Sequence, residues 1–247
     1  MNSTRTAAAL VIGNELLTGK VQDVNVAALA QELFGIGVRL QRVVFCPDEI
    51  ETIGRDLNDL RSRFELVFTS GGVGPTHDDV TMSAVAQALD RPLVTSQAIL
   101  DLLQTFFGDR LSEPHRRMAL VPEGTELVTS PRHRWPAVRV ENVFILPGLP
   151  EIFQRKLPLL REHLDTGVTF VSRSVRTGSD EGALAPLLER LDSEFPEVSI
   201  GSYPRWGEGP VRVVVTFDGI STETVERAAE ALRTALPKDL LVEEEGS

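Results

Sequence analysis

The first part of the chain alternates between short apolar runs and polar segments with helical periodicity. Four apolar runs predict buried strands, at residues 7–12, 38–45, 66–69 and 143–146. Apolar residues spaced three or four positions apart predict helices that begin near Asn25, Asp48 and Thr81, with Asn25 as a helix cap. Strands that alternate with helices are typical of a parallel sheet joined by right-handed crossovers, so we expect an α/β fold.

The pattern resets near residues 165–167, and we place a domain boundary there, between 1–167 and 168–247. In the second part, strands are predicted at 168–176, 198–202, 211–217 and 240–243, and helices at 181–195 and 225–236. This βαββαβ order predicts a small split α/β domain. Because no charged constellation in it suggests catalysis, we expect this domain to contribute to assembly or to cover a site elsewhere.

The densest candidate chemistry lies between Thr69 and Thr81, where the sequence TSGGVGPTHDDVT joins a predicted strand to a predicted helix. It contains three glycines, Gly71, Gly72 and Gly74. Glycine lets backbone N–H groups approach a ligand that a Cβ would exclude, and free N–H groups at a helix start favour anions. The adjacent Asp78 and Asp79 would repel an anion unless a cation lay between them. The pattern therefore predicts a site for phosphate and a divalent metal ion.

Several of these residues should converge in space. In a parallel sheet the strand-to-helix loops emerge at the carboxyl edge, where ligands bind. Glu15, Asp48, the loop of residues 71–79 and the loop of Gly148 are therefore expected at one rim. A purely structural interpretation stays open, since a glycine-rich turn can be only a turn and each aspartate could cap a helix. Glu15 has no capping duty and is harder to explain in that way.

One basic and aromatic patch stands in this acidic chain, at residues 132–135. Arg132 is suited to an anionic group and Trp135 to a stacked planar ring. The alternative, a solvated loop with no role in binding, stays equally open. His77 is expected at the surface.

Composition narrows the class of protein. The chain has 247 residues, 42% hydrophobic and 25% charged, as is ordinary for a soluble globular protein. Its formal net charge of −11 argues against nonspecific binding to nucleic acid or anionic membranes. The single cysteine, Cys46, excludes an intrachain disulfide and a cysteine-based metal cluster. No apolar run is long enough to cross a bilayer and no signal-peptide pattern is present, so we expect a cytoplasmic protein.

Two familiar nucleotide-binding motifs do not fit. Residues 13–20 have one residue too many between their glycines for a P-loop, and Val21 replaces the required Ser or Thr. The run Gly72-Val73-Gly74 lacks the third glycine of a dinucleotide fingerprint. A nicotinamide-dependent dehydrogenase is therefore not expected.

The same residues resemble the molybdopterin-binding domain family, which includes the molybdenum-cofactor proteins MoaB and Mog and the competence- and damage-inducible protein CinA. The shared motif is matched by residues 71–75 (GGVGP) and 79–81 (DVT), and Asp48 matches a second family aspartate. Residues 12–19 (IGNELLTG) resemble the CinA-type branch.

The likeness is closest to the amino-terminal half of eukaryotic FAD synthases. It is carried by residues 74–79 (GPTHDD), 135–138 (WPAV), 147–151 (PGLPE) and 201–206 (GSYPRW). The resemblance covers nearly the whole chain, and it implies a three-layer parallel-sheet domain followed by the small split domain.

The resemblance also implies a metal-dependent pyrophosphatase, which cleaves a nucleotide diphosphate such as FAD or ADP-ribose into two monophosphates. Asp48, Asp79 and Glu15 would be catalytic and, together with Asp78, would hold Mg²⁺ or Mn²⁺, since hard oxygen ligands favour these ions. The residues expected to contact the substrate are Ser70, Gly71, Gly72, Gly74, Thr76, Gly148, Arg132 and Trp135.

Two other functions stay open: non-hydrolytic binding of molybdopterin or its adenylylated form, and a regulatory nucleotide-binding module that has lost catalysis. Residues 130–135 replace a glycine-rich loop of CinA proteins, so the CinA substrate contacts there are not transferred. CinA's amidohydrolase domain and the adenylyl-transferring domain of FAD synthase do not follow, so nicotinamide-nucleotide deamidation and FAD synthesis are not expected. Relatives are commonly homo-oligomers, and we expect the same of this chain.

Overall fold

The apolar runs form strands and the periodic segments form helices, as the pattern predicts. The computed structural model describes residues 4–165, 167–207 and 209–242. The chain divides into two units, residues 1–167 and 168–247.

The first unit supplies the strands of a large sheet and the helices around it. Its described strands are β1 (Arg5–Ile12), β2 (Val38–Cys46), β3 (Leu66–Ser70), β4 (Leu93–Thr95), β5 (Leu120–Pro122), β6 (Glu126–Ser130), β7 (His133–Val140) and β8 (Val143–Leu146). Its described α-helices are α1 (Asn14–Leu17), α2 (Asn25–Phe34), α3 (Ile50–Arg63), α4 (Thr81–Ala88), α5 (Gln97–Phe107), α6 (Glu113–Arg117) and α7 (Pro150–Leu164).

The large sheet has the strand order β2-β1-β3-β8-β7-β6. Its first four strands are parallel, and β4 pairs separately with β5. Two apolar clusters cover the two faces: α2 and α7 pack on one, and α3, α4 and α5 pack on the other. The predicted three-layer α/β architecture is confirmed, with a sheet that is parallel through its centre.

The last two strands of this sheet correct the expectation of a wholly parallel sheet. Strand β7 runs antiparallel to β8, and β6 runs antiparallel to β7. The hairpin of β6 and β7 includes residues 132–135, for which the sequence left open a solvated loop as the alternative. Alternation explains the hairpin, because Ala137 faces one apolar cluster while Val138 and Val140 face the other.

The chain path places a topological switch point at the carboxyl end of β3, where a crevice is expected between the two connections. The connections that follow β1 and β8 lead to α2 and α7 on one face, whereas the connection that follows β3 leads to α4 on the other. In open α/β sheets, ligands bind where neighbouring strands send their connections to opposite faces.

The second unit is a three-stranded antiparallel sheet with two helices on one face. Its described elements are β9 (Val171–Thr177), α8 (Glu181–Glu194), β10 (Ser199–Pro204), β11 (Val213–Gly219) and α9 (Thr222–Ala235), with strand order β10-β11-β9. A buried cluster that includes Val215, Phe217 and Leu232 joins the helices to the sheet.

Over its described residues, the predicted strand at 240–243 is shortened to one antiparallel bridge beside β9, where Val242 N–H donates to the Arg176 carbonyl at 3.0 Å. Lys238–Leu240 form a 3₁₀ turn, which follows Pro237 and is closed by a hydrogen bond from Leu240 N–H to the Pro237 carbonyl. Leu241 then makes an isolated bridge to Thr177. Glu243 lies outside the described residues.

The carboxyl edge of the large sheet depends on backbone packing at Gly71. Gly71 has a φ of +109°, and a Cβ built on it would lie 2.2 Å from the carbonyl oxygen of Ile12. A Cβ built on Gly148 would in turn lie 3.0 Å from the Cα of Gly71. The ends of β1, β3 and β8 therefore meet so closely that position 71 has no space for a side chain.

We expect Gly71→Ala to lower the free energy of unfolding by about 3 kcal/mol. The substitution forces an alanine to adopt a positive φ, and its Cβ presses against the carbonyl group at the end of β1. Gly19→Ala is the matched control. Gly19 also has positive φ, +69°, but its added Cβ would meet nothing within 4 Å, so the cost should be about 1 kcal/mol. Urea denaturation measures both costs, and equal values would contradict the packing argument.

Candidate functional site

The loop after β3 presents a row of backbone donors to the crevice. Gly71 N–H donates to the Leu146 carbonyl at 3.2 Å and so ties β3 to β8. The next three N–H groups, of Gly72, Val73 and Gly74, donate to no acceptor within residues 4–165, 167–207 and 209–242. Consecutive free N–H groups in a tight loop favour an anion.

Thr81 holds this loop against the first turn of α4. Its side chain is fully buried, its hydroxyl donates to the Gly71 carbonyl at 2.9 Å, and its N–H donates to the Gly72 carbonyl at 3.0 Å. A Cβ on Gly72 would lie 2.3 Å from the Thr81 hydroxyl oxygen. Gly72 is therefore required by packing, whether or not a ligand also approaches it. Sequence reasoning gave Thr81 no role of its own.

Asp48 is anchored to the backbone and does not cap α3. Its Oδ2 accepts a hydrogen bond from Asn14 N–H at 2.8 Å, which joins the end of β2 to the start of α1. Its other oxygen has no donor among the described residues. Glu15 follows in α1, and its carboxylate lies against the Cα of Gly13. The hydrogen bond between Asn14 and Asp48 holds α1, and with it Glu15, at the same edge of the sheet as Asp48.

Asp79 likewise does not cap α4, because its carboxylate turns back into its own loop. Its Oδ2 accepts hydrogen bonds from the N–H of Thr76, at 2.8 Å, and from the Thr76 hydroxyl. Thr76 was expected to contact phosphate, but its N–H and its hydroxyl both donate to a carboxylate of the same loop. Gly74 gives this carboxylate room, since a Cβ there would lie 2.6 Å from Asp79 Oδ2.

Asp78 and His77 are exposed at the tip of the same loop. Hydrogen bonding within the loop holds the pKa of the Asp78 carboxyl below its usual range. The imidazole of His77 lies 3.9 Å from that carboxylate, with its side chain in solvent.

The four predicted metal ligands, Glu15, Asp48, Asp78 and Asp79, do not gather into one cage. Within the part of the chain that the structure describes, no three His, Cys, Asp or Glu side chains are placed to hold one metal ion. The donor set still fits Mg²⁺, because this ion is usually held by one or two carboxylates together with phosphate oxygens and water. Asp48 and Asp79 are each suited to be one such carboxylate ligand, since each has one oxygen bound to a backbone N–H and one oxygen without a donor among the described residues.

Asn25 is a buried part of the site, and its expected role as a helix cap is wrong. The N-cap position of α2 is Val24, and the carboxylate of Asp23 before it accepts a hydrogen bond from Val26 N–H at 3.0 Å. The Asn25 amide instead donates to the Ser70 hydroxyl oxygen at 3.1 Å and to the Gly148 carbonyl at 2.8 Å. It therefore connects α2 with the loops that follow β3 and β8.

Trp135 reaches the same edge because β7 is antiparallel to β8. Its ring is half-buried and meets the exposed ring of Phe106 edge-on, at 6.0 Å between centroids. Arg132 lies in the β6–β7 turn, with an exposed guanidinium 3.9 Å from the Glu162 carboxylate. Arg117 donates to the Pro75 carbonyl at 3.4 Å and so connects α6 to the glycine loop.

Lys156, in α7, holds the start of β7 through two hydrogen bonds. Its ammonium donates to the carbonyls of Trp135, at 2.9 Å, and Pro136, at 2.6 Å. Burial lowers the pKa of Lys156 to about 8. Burial also raises the pKa of the Cys46 thiol, at the end of β2, to about 12, so this cysteine is not a thiolate nucleophile at neutral pH.

The comparisons with known proteins agree with this architecture. Residues 8–164 match the family model described as a probable molybdopterin binding domain. The chain belongs to the molybdopterin-binding domain family. Residues 169–245 of this family member match the middle domain of FAD synthase.

Named relatives confirm the predicted resemblance to CinA-type proteins and FAD synthases. The chain is 30% identical to a probable FAD synthase of Caenorhabditis elegans, over 96% of this chain and 51% of that protein. It is 32% identical to a CinA-like protein of Citrifermentans bemidjiense, over 96% of this chain and 59% of that protein. It thus spans little more than half the length of these two relatives.

A solved structure shows the same fold for the first unit. The protein CinA of Thermoplasma acidophilum, described as being of unknown function, superposes with a TM-score of 0.60 at 26% identity. That match covers 66% of this chain and 99% of the other. Among the described residues, no helix combines the length and apolar character that a membrane crossing needs.

The lowered pKa of Lys156 predicts a pH-dependent stability. Between pH 8 and 10.5 the unfolded chain binds the lysine proton and the folded chain does not, so this group makes stability rise with pH in that window. Replacing it by Met should remove that rise. The measurement is the free energy of unfolding in urea from pH 7 to pH 10 for the wild type and for Lys156→Met.

The exposed Lys20 provides the control, since Lys20→Met should leave the pH dependence unchanged. A stability difference between the wild type and Lys156→Met that stays constant with pH would contradict the shifted pKa.

Proposed function

We propose that the crevice at the end of β3 binds a nucleotide diphosphate such as FAD or ADP-ribose and, with a divalent metal ion, hydrolyses its phosphoanhydride bond. The observation that carries this proposal is the row of free N–H groups at Gly72, Val73 and Gly74, in the same loop as the anchored carboxylate of Asp79. In a chain with a net charge of −11, an anion needs local donors of this kind.

In this proposal, backbone N–H groups and one side-chain hydroxyl bind the diphosphate. The three N–H groups of residues 72–74 donate to oxygens of the diphosphate, and the Ser70 hydroxyl adds a further donor. Gly71 and Gly148 keep the crevice free of side chains, because neither position has space for a Cβ. We assign Trp135, near the start of β7, to the planar ring of such a ligand, and Arg132, in the preceding turn, to its outer phosphate.

The carboxylates divide between metal binding and proton transfer. Mg²⁺ or Mn²⁺, when bound, neutralises charge that develops on the diphosphate and lowers the pKa of a bound water. Asp48 and Asp79 are the side chains that would hold the ion, with Asp78 on the open side of the loop. Glu15, exposed beside Asp48, is the side chain we assign as proton acceptor.

The reaction balances without an oxidant or a further substrate. The oxygen of water forms a bond to one phosphorus while the anhydride P–O bond breaks. The leaving phosphate keeps the electron pair, and the proton of water passes to the carboxylate. The products are two monophosphates.

The comparisons support the ligand class without naming the reaction. A relative named as a probable FAD synthase supports a flavin nucleotide as one ligand. The match of residues 8–164 to a probable molybdopterin binding domain favours the second candidate, a protein that binds a pterin and does not hydrolyse it. A homo-oligomer and a cytoplasmic location remain predictions from the sequence.

Exchanging each anchored aspartate for asparagine tests the metal site. In Asp48→Asn and Asp79→Asn the amide oxygen can still accept the bonds from Asn14 and Thr76, but the charge and the spare anionic oxygen are lost. We expect each variant to keep its melting temperature and to lose at least about a hundredfold in kcat. Chromatography of the products formed from FAD and ADP-ribose, with Mg²⁺ or Mn²⁺ and then with chelator, measures the turnover.

Asp180→Asn is the matched control, because Asp180 is an exposed aspartate with one oxygen bound to a backbone N–H at the start of α8. It should keep wild-type turnover. Near-normal turnover in both Asp48→Asn and Asp79→Asn would rule out the metal assignment. Intact FAD and ADP-ribose in every wild-type reaction, together with tight binding of a pterin, would favour the second candidate function.

A further inference from the structure

Asn25 is a buried polar residue at the crevice that the proposed reaction does not use. It is 4% exposed, and its Nδ2 lies 2.8 Å from the Gly148 carbonyl oxygen and 3.1 Å from Ser70 Oγ. Because a carbonyl oxygen only accepts hydrogen bonds, the atom that faces Gly148 must be the amide nitrogen. The orientation of the Asn25 side chain is therefore determined by its contacts.

This orientation also determines what Ser70 can do. The second N–H of the amide occupies a lone pair of Ser70 Oγ, so the hydroxyl hydrogen of Ser70 must point elsewhere. That hydrogen meets no acceptor within the described segments of the chain. Ser70 ends β3 directly before the free N–H groups of residues 72–74, so its hydroxyl is a further donor at the crevice.

The buried oxygen of Asn25 carries a cost that an apolar residue at this position would not. The Asn25 Oδ1 atom is buried and has no hydrogen-bond partner among the described residues. A buried polar atom without a partner destabilises the fold, so the side chain is poorly explained by packing alone. Its two N–H groups are what a leucine could not supply.

We propose that Asn25 is a positioning residue, which ties the loops after β3 and β8 to α2 and directs the Ser70 hydroxyl toward a phosphate oxygen of the ligand. The ligand part of this proposal rests on the proposed function. The restraint on the two loops does not, and it can be measured without any ligand.

Asn142 provides a matched control for loss of a side-chain amide. Its Nδ2 also donates to two acceptors, the carbonyls of Arg61 at 3.0 Å and Phe64 at 2.9 Å. It lies in the turn between β7 and β8, at the opposite edge of the sheet. Replacing either asparagine by alanine therefore removes two hydrogen bonds from one Nδ2, but only one replacement affects the crevice.

The test compares Asn25→Ala with Asn142→Ala in two measurements. Hydrogen exchange without ligand should become faster over residues 66–74 and 146–153 in Asn25→Ala only. Titration calorimetry with ADP-ribose and Mg²⁺ should show an affinity about tenfold weaker in Asn25→Ala and unchanged in Asn142→Ala. In a Ser70→Ala background, the effect of Asn25→Ala on affinity should largely disappear, because Asn25 acts through Ser70.

The outcomes separate this proposal from the proposed function. If the wild type binds neither ADP-ribose nor FAD, the proposed function fails, while unchanged exchange in Asn25→Ala would still overturn the positioning role. If the wild type binds ADP-ribose, fully additive effects of Asn25→Ala and Ser70→Ala would overturn it as well. If Asn25→Ala does not fold, Ser70→Ala decides, since unchanged affinity in that variant would show that the hydroxyl does not reach the ligand.

Discussion

The backbone contact at Gly71 is the constraint on which the site depends. A Cβ at Gly71 would meet the Ile12 carbonyl at 2.2 Å, and a Cβ at Gly148 would meet the Gly71 Cα at 3.0 Å. The ends of β1, β3 and β8 can approach so closely because the loops that follow β3 and β8 carry glycine at the contact, Gly71 and Gly148. The connections after β1 and β8 lead to one face of the sheet, and the connection after β3 leads to the other. Because of the close contact at Gly71, the crevice between these connections is lined by backbone groups instead of side chains.

That lining explains how an acidic chain could hold an anion. In a chain with a net charge of −11, N–H groups whose orientation is set by the fold supply local attraction for an anion. Thr81, Asn25 and Asp48 all use their hydrogen bonds to hold the loops that carry or surround these groups. The polar residues of the site are thus mainly occupied with each other and with the backbone, which leaves few groups free for a ligand.

The sequence predicts a candidate site at this edge because strand ends and glycines leave clear signals. The apolar runs predicted the central strands, and the parallel arrangement then brought Glu15, Asp48 and the loop of residues 71–79 to one edge. The sequence does not predict the role of a polar side chain when that role depends on which partner the side chain meets in the folded protein. Asn25 has the sequence context of a cap, and only the folded structure shows its amide between Ser70 and Gly148. The β6–β7 hairpin was missed because its turn is polar and its alternating apolar residues begin later.

The central claim is that the free N–H groups of residues 72–74 bind the diphosphate of a nucleotide. Backbone amide NMR shifts measured during a titration with ADP-ribose and Mg²⁺ test it most directly. The account predicts that the largest shifts occur at Gly72, Val73 and Gly74, with smaller ones at Gly148 and none in the turn at Asn142. Saturable binding that leaves the three amides of residues 72–74 unshifted would contradict it.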